Sequence, residues 1–222
     1  MEYIIITYAS ILIIIITAIA SILLMLSFSK FDSLMQKIMF YIVVGCLFEI
    51  ASSAYIKIFH ANNLFFFHGF AIFEAWILTT FFLEFYKKNS VVIQQKYVLF
   101  PLIGFLLLNS TLIQPITTFN SNGLTLVGVV AIAYCIYAFY LMLEKEIVFP
   151  FYLQVKWFII AVFLTHSGTL IFELFSNQIL RLDQSQQELL WSIRSILLIT
   201  TRLIFFYISI QTFSVKRWKI VS

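Results

Sequence analysis

Residues 3–28 read YIIITYASILIIIITAIASILLMLSF, 26 consecutive positions without a charged side chain. An α-helix rises 1.5 Å per residue, so about 20 apolar residues cross a hydrocarbon core of roughly 30 Å. The run is long enough to span. Ala18-Ile19-Ala20 has the small-residue pattern of a signal cleavage site, but Met1-Glu2-Tyr3 carries no Lys or Arg and the apolar run continues through to Phe28. A cleavable signal has a basic start and a shorter apolar region. The stretch reads as a retained helix.

Six more stretches of this kind follow, at about 35–59, 64–86, 97–113, 124–143, 151–175 and 189–213. Lipid cannot satisfy free backbone N–H and C=O groups, so unbroken apolar segments of this length must be helices. Transmembrane strands would be shorter and would alternate polar with apolar. The expected fold class is all-α: residues 1–222 as one domain, a single bundle of seven transmembrane helices. Composition agrees. Hydrophobic residues make up 62% of the chain and charged residues 11%, where a soluble protein averages about 25% charged. Such a chain cannot cover itself in water, which excludes soluble enzymes, disordered tails and small disulfide scaffolds. Cys46 and Cys135 lie far apart inside apolar runs and read as small buried hydrophobes.

The net charge of +4 is a topology signal rather than a nucleic-acid footprint. Of fourteen Lys and Arg, ten fall in the first, third and fifth loops and the tail: Lys30, Lys37, Lys87, Lys88, Lys96, Lys145, Lys156, Lys216, Arg217 and Lys219. Two, Lys57 and Arg181, fall on the other side, and Arg194 and Arg202 lie inside the seventh span. By the positive-inside rule this predicts the N-terminus outside and the C-terminus cytoplasmic, in a bacterial-type inner membrane.

Ionisable side chains in lipid are costly and face the bundle interior. Glu49 lies in the second helix, Asn63, His68 and Glu74 in or at the third, His166 and Glu173 in the sixth, Arg194 and Arg202 in the seventh. By depth, Glu173 and Arg194 could pair near the outer surface, and Arg202 could pair with Glu49 or Glu74 near the midplane. Three acids against two arginines leave one negative charge, to be met by a proton on a carboxyl. His166, Thr169 and Glu173 share one helix face, as do Asn63 and Glu74; His68 falls on a different flank. Trp191, Arg194, Leu198, Thr201 and Arg202 form one stripe, and Glu49, Ser52 and Ser53 another. These faces predict a polar seam between helices two, three, six and seven, richest in the outer half. Asn63, His68, His166, Glu173 and Arg194 are the candidate ligand-binding residues, with Glu49, Glu74 and Arg202 as an intramembrane charge layer. The competing reading is that the seam is an interhelical clamp. Tyr134, Tyr137 and Tyr140 recur every three residues and read as packing.

Several chemistries lack their residues. A retinal Schiff base needs a Lys in the last helix, which has only arginines. Seven-helix zinc hydrolases are faintly suggested by Ser52-Ser53-Ala54-Tyr55 and His60, but His60, His68 and His166 do not converge on one site. No GxSxG, HExxH or P-loop motif is present. Pro101, followed by Gly104, is the one proline well inside a span and predicts a kink there. Neither a catalytic residue, a metal nor a cofactor is expected.

Asn62-Asn63-Leu64-Phe65-Phe66-Phe67-His68 with Glu74, and His166-Ser167-Gly168-Thr169-Leu170-Ile171-Phe172 with Trp191 and a polar residue at 194, carry a resemblance. They are similar to stretches of a group of small bacterial seven-helix membrane proteins that resemble membrane-embedded input parts of signalling proteins. Position 194 is arginine where that resemblance leads one to expect histidine. The resemblance implies a receptor-like or sensor module, binding a small anionic ligand or a proton in an outward-facing seam. With no soluble domain in these loops, its output would pass to a protein partner on the cytoplasmic side. The alternatives are a small transporter or ion-conducting subunit using the Glu49–Glu74–Arg202 layer as a relay, and a structural subunit of a larger complex. The lipid bilayer is one partner; nucleic acid is not; a homo-oligomer stays open.

Overall fold

The structure, a computed structural model, describes residues 2–144 and 151–218. Lys145 and Lys219, counted above among the loop and tail cations, lie outside them. The chain is all-α, with α1 (Glu2–Met25), α2 (Ser33–Phe59), α3 (Leu64–Lys88), α4 (Gln95–Leu108), α5 (Ser121–Glu144), α6 (Tyr152–Leu174), a single turn α7 (Ser176–Ile179) and α8 (Gln184–Trp218). Among the described residues seven helices, all but α7, are long and apolar enough to cross a membrane. The protein is a multi-pass membrane protein.

Helix ends follow local chemistry. Asp32 caps α2 by accepting from the Met35 amide at 2.9 Å. His60 stops α2 in the left-handed conformation, its own amide donating back to the Ile56 carbonyl. Asp183 accepts from the Gln186 amide at 3.0 Å and the Ser185 hydroxyl at 2.8 Å at the start of α8. Pro101 is accommodated inside α4, and the departure from α-helix comes later, as π-helical turns at Asn109–Ile113.

Helices α1, α2, α3, α5, α6 and α8 pack side to side in a closed ring, α8 returning to α1. α2 also touches α6 across the ring, and α4 packs outside it against α3. Large apolar side chains cover the outer faces, such as Ile11, Ile15 and Ile22 on α1, or Ile193, Ile196 and Leu203 on α8. In water these would be a liability, and in lipid they are the solvated surface.

The interior has two unlike halves. Towards the ends bearing loops 26–32 and 89–94 it is a solid aromatic core. Phe81, Phe82, Phe85, Tyr86, Phe158 and Phe205 are fully buried there. Phe81 meets Phe158 edge-on at 4.8 Å, and Phe158 stacks on Phe205 at 6.1 Å. Tyr134 and Tyr137 join this packing, with the Tyr86 hydroxyl donating to the Tyr134 carbonyl at 2.7 Å. At the same end Glu84 accepts from Ser33 and pairs with Lys37, and Lys88 pairs with Asp32, tying α2 to α3.

The opposite end is closed by an uncharged amide network around loop 114–120. Asn109 donates to Asn120 at 2.8 Å, Gln114 donates to Ser121 at 2.6 Å, and Asn177 of α7 donates to the same Ser121 hydroxyl at 2.9 Å. Asn120 also accepts from the Gly123 amide at 3.1 Å. A Cβ on Gly123 would stand 2.4 Å from the Asn120 Oδ1, so only glycine lets Asn120 fold under the first turn of α5.

Gly123→Ala is expected to expel the Asn120 amide and leave buried partners unmet, costing about 1–3 kcal/mol. Its melting temperature in mild detergent should fall below that of wild type, and an unchanged melt would refute the account. The two hydrogen bonds to Asp183 hold its carboxyl below the usual carboxylate range. A depressed acid contributes its stability above the ordinary value, about 3.9, and loses it as pH falls through the lower folded value. Protection of the Gln186 amide, measured against its intrinsic exchange rate, should therefore fall only below about pH 4, and Asp183→Asn should remove that dependence.

Candidate functional site

The polar faces of five helices and the inner face of α1 meet in a cavity of about 290 Å³. Each helix supplies its wall by ordinary helical spacing. Tyr41, Gly45, Glu49 and Ser52 come from α2 at intervals of four, four and three residues. Phe66, Phe70 and Glu74 come from α3, His166 and Glu173 from α6, and Arg194, Leu198 and Arg202 from α8. Phe48 and Phe67 complete an aromatic wall, and Leu124 of α5 and Ser10, Ile13 and Ile14 of α1 close the sides. Most of these positions lie in the half of their helix that runs towards loops 60–63, 114–120 and 175–183, while Tyr41, Gly45, Ile14 and Arg202 form the floor at or just past mid-helix. Below the cavity stand Tyr41, Phe158 and Phe205, with Tyr41 edge-on to the other two rings at 5.4 and 5.9 Å.

The charges are distributed as follows. Arg202 pairs with Glu49, joining α8 to α2, and its guanidinium lies 5.5 Å over the Phe205 ring. Glu74 is 4% exposed, accepts from the Tyr41 hydroxyl at 2.7 Å, and faces His166 Nε2 at 3.5 Å through the same oxygen. Of the two acids open to Arg202, Glu49 takes it; Glu74 is held by Tyr41 and His166. Thr169 donates to Glu173 Oε1 at 2.9 Å within α6. The other Glu173 oxygen is buried without a hydrogen-bond partner, as is His166 Nδ1. Both atoms look towards Gly128 of α5, where an added Cβ would lie 3.5 and 3.6 Å from them.

The expected Glu173–Arg194 pair does not form. Arg194 instead lies 5.7 Å over the Trp191 ring and makes no ion pair among the described residues. Each side chain turns to its own helix, Arg194 to Trp191 three residues earlier and Glu173 to Thr169 four residues earlier. Asn63 and His68 do not line the cavity. Asn63 donates to Ser52 and ties α3 to α2. His68 is 3% exposed and points to the amide-network side, its Nδ1 against the Ser110 hydroxyl at 2.8 Å and its Nε2 against the Thr118 carbonyl at 3.1 Å. This is the different flank that its offset from Glu74 implies. So the cavity gathers Glu49, Glu74, His166, Glu173, Arg194 and Arg202, and leaves Asn63 and His68 outside.

Comparison with known proteins finds no matching family model, no similar curated protein and no similar solved structure. The functional reading therefore rests on geometry.

Sequence reasoning missed Tyr41, although its spacing from Glu49 and Ser52 places it on their face. It also put the surplus proton on a carboxyl, with His166 read as a ligand-binding candidate. In the structure an imidazole beside Glu74 offers a place for the proton that three acids and two arginines require. With His166 protonated, the six groups sum to zero charge.

Arg202→Met should strand the Glu49 carboxylate and destabilise by roughly 3–5 kcal/mol, as removal of one partner of a buried pair does. Adding Glu49→Gln should restore most of that loss. Chemical unfolding of the two single variants and the double variant measures the coupling; additive losses would mean that the pair carries no stability.

Proposed function

We propose that this protein is a receptor-like sensor module. It is read as one seven-helix bundle in a bacterial-type inner membrane, N-terminus outside and C-terminus cytoplasmic. The cavity then opens on the outward half, binds a small ligand or a proton, and biases how the helices present their cytoplasmic ends to a partner protein. The observation that carries this reading is the one-sidedness of the interior. A charged cavity sits in one half, and a solid aromatic core fills the other. A conduit would need a polar path through Phe81, Phe158 and Phe205, where fully buried rings are in contact. A binding site needs only one open end.

The walls also support coupling. α2 and α3 carry Glu49 and Glu74 in the cavity and the Lys37–Glu84 and Lys88–Asp32 pairs at the far end. A ligand that changes the angle between these helices above the aromatic core acts on the same two helices below it. Energy for such a shift comes only from contacts that differ between the two arrangements.

Thermal unfolding in mild detergent, across pH and with a panel of small anions, tests the reading. Wild type should show saturable stabilisation by at least one anion or a pH-dependent melt, and Arg194→Ala should abolish the anion effect. A melt indifferent to pH and to every small charged molecule tried, with Arg194→Ala merely less stable, would reduce the cavity to a structural clamp. Flux of an anion into proteoliposomes, abolished by Glu74→Gln, would replace the sensor with a transporter.

A further inference from the structure

Two groups of opposite charge line the cavity with capacity unused. Arg194 carries a guanidinium with no ion pair among the described residues. Glu173 is 7% exposed and keeps one carboxylate oxygen buried and without a hydrogen-bond partner. Both line the same cavity and do not pair with one another. Beside them stand the rings of Phe48, Phe66, Phe67 and Phe70.

Ligand classes can be sorted by what each leaves unmet. A simple anion on Arg194 would face Glu49, Glu74 and Glu173 and would leave the free Glu173 oxygen as it is. A simple cation on Glu173 would leave Arg194 unpaired and sit against two guanidiniums. A molecule carrying both charges meets both groups and adds no net charge to a set that already balances when His166 is protonated. That balance matters because an uncompensated charge in a low-dielectric site costs several kcal/mol. The volume, about 290 Å³, and the phenylalanine wall suit a small molecule with one apolar group.

We propose, building on the sensor reading, that the cavity binds a zwitterion: an acidic group on Arg194, an ammonium on Glu173, and an apolar side group against the phenylalanine wall. Two sources offer that pair of charges, a free amino acid and the head of phosphatidylethanolamine.

The test uses the full chain in mild detergent, with thermal unfolding and equilibrium dialysis as readouts. The probes are the common L-amino acids and dihexanoyl phosphatidylethanolamine. For the best amino acid, its decarboxylated amine and its deaminated acid are added. An apolar amino acid should stabilise saturably, with each single-charge analogue binding about 10-fold or more weaker, the scale of one charge-assisted hydrogen bond. Glu173→Gln should close the gap between the amino acid and its acid analogue. Arg194→Gln should close the gap between the amino acid and its amine. Arg194→Lys, which keeps the charge, should retain part of the discrimination and guards against loss of fold. If the lipid binds, the amino acids do not, and both residues are required, the same charge pair is met by a lipid head. Equal binding of the acid analogue and the amino acid to wild type overturns the zwitterion and leaves the ligand cavity standing. Failure of every amino acid and of the lipid also overturns it. If the anion panel and pH are silent as well, the sensor reading falls with it.

Discussion

The Glu74 carboxylate fixes the centre of this protein. It stands near the middle of a membrane-spanning helix, almost wholly out of contact with solvent, and hydrocarbon offers it nothing. Tyr41 from α2 and His166 from α6 both reach the same oxygen. One carboxylate thus draws α2, α3 and α6 together at one level. Glu49 and Arg202 add α8 at the same depth. Helices in lipid gain little from burying apolar surface against each other, so polar knots of this kind and close packing select the neighbours. The ring of six helices is arranged around that level, with α4, which contributes no intramembrane charge, left outside it.

The two halves on either side of that level follow from composition. Below it the helices supply Phe, Tyr and Leu, whose rings fill space edge to face and leave no room. Above it they supply Glu, Arg, His and Ser, whose solvation demands keep walls apart and a cavity open. The uncharged loop 114–120 closes part of the upper end with amides rather than ions. Asn109 donates to Asn120, and Gln114 and Asn177 both donate to the hydroxyl of Ser121, with the Asn120 Nδ2 left without a partner. Amides can stitch a loop to three helix ends without adding charge near the cavity, so the electrostatics of the site are left to the six ionisable groups that line it.

Much of this was legible in the sequence because lipid imposes simple rules. Span positions follow from apolar run length, and the structural helices overlap every predicted stretch. Faces follow from helical spacing, which put Glu49 with Ser52, and His166 with Glu173, correctly. Partner choice was not legible. Arg202 had two acids within reach by depth, and Tyr41 and His166 take Glu74, which leaves Glu49 for Arg202. Glu173 looked matched to Arg194, but Arg194 lies over Trp191 of its own helix and Glu173 takes Thr169 of its own. His68 turns to the flank that its offset from Glu74 implies, and only the placement of the π-helical turns and loop 114–120 supplies Ser110 and Thr118 as its partners. Spacing gives direction around one helix, whereas the angle between helices is a property of the whole ring.

The pattern of satisfied and unsatisfied groups separates clamp from site. A clamp forms when its members meet, as Glu49 meets Arg202 and as Tyr41 meets Glu74, even though Glu49 Oε2 and Arg202 Nε stay without hydrogen-bond partners. Had the upper seam evolved only to hold helices together, Arg194 and Glu173 would complete a third such contact, because their charges are opposite and they face one space. Instead Arg194 rests on Trp191 and Glu173 turns one oxygen to Thr169 and leaves the other bare. A buried carboxylate oxygen without a donor carries a desolvation cost that the fold does not recover. Retaining that cost beside an unpaired guanidinium is reasonable where a third molecule supplies both missing partners. The clamp and the site are then one structure: the completed pairs hold the walls at the spacing that keeps the incomplete pair open.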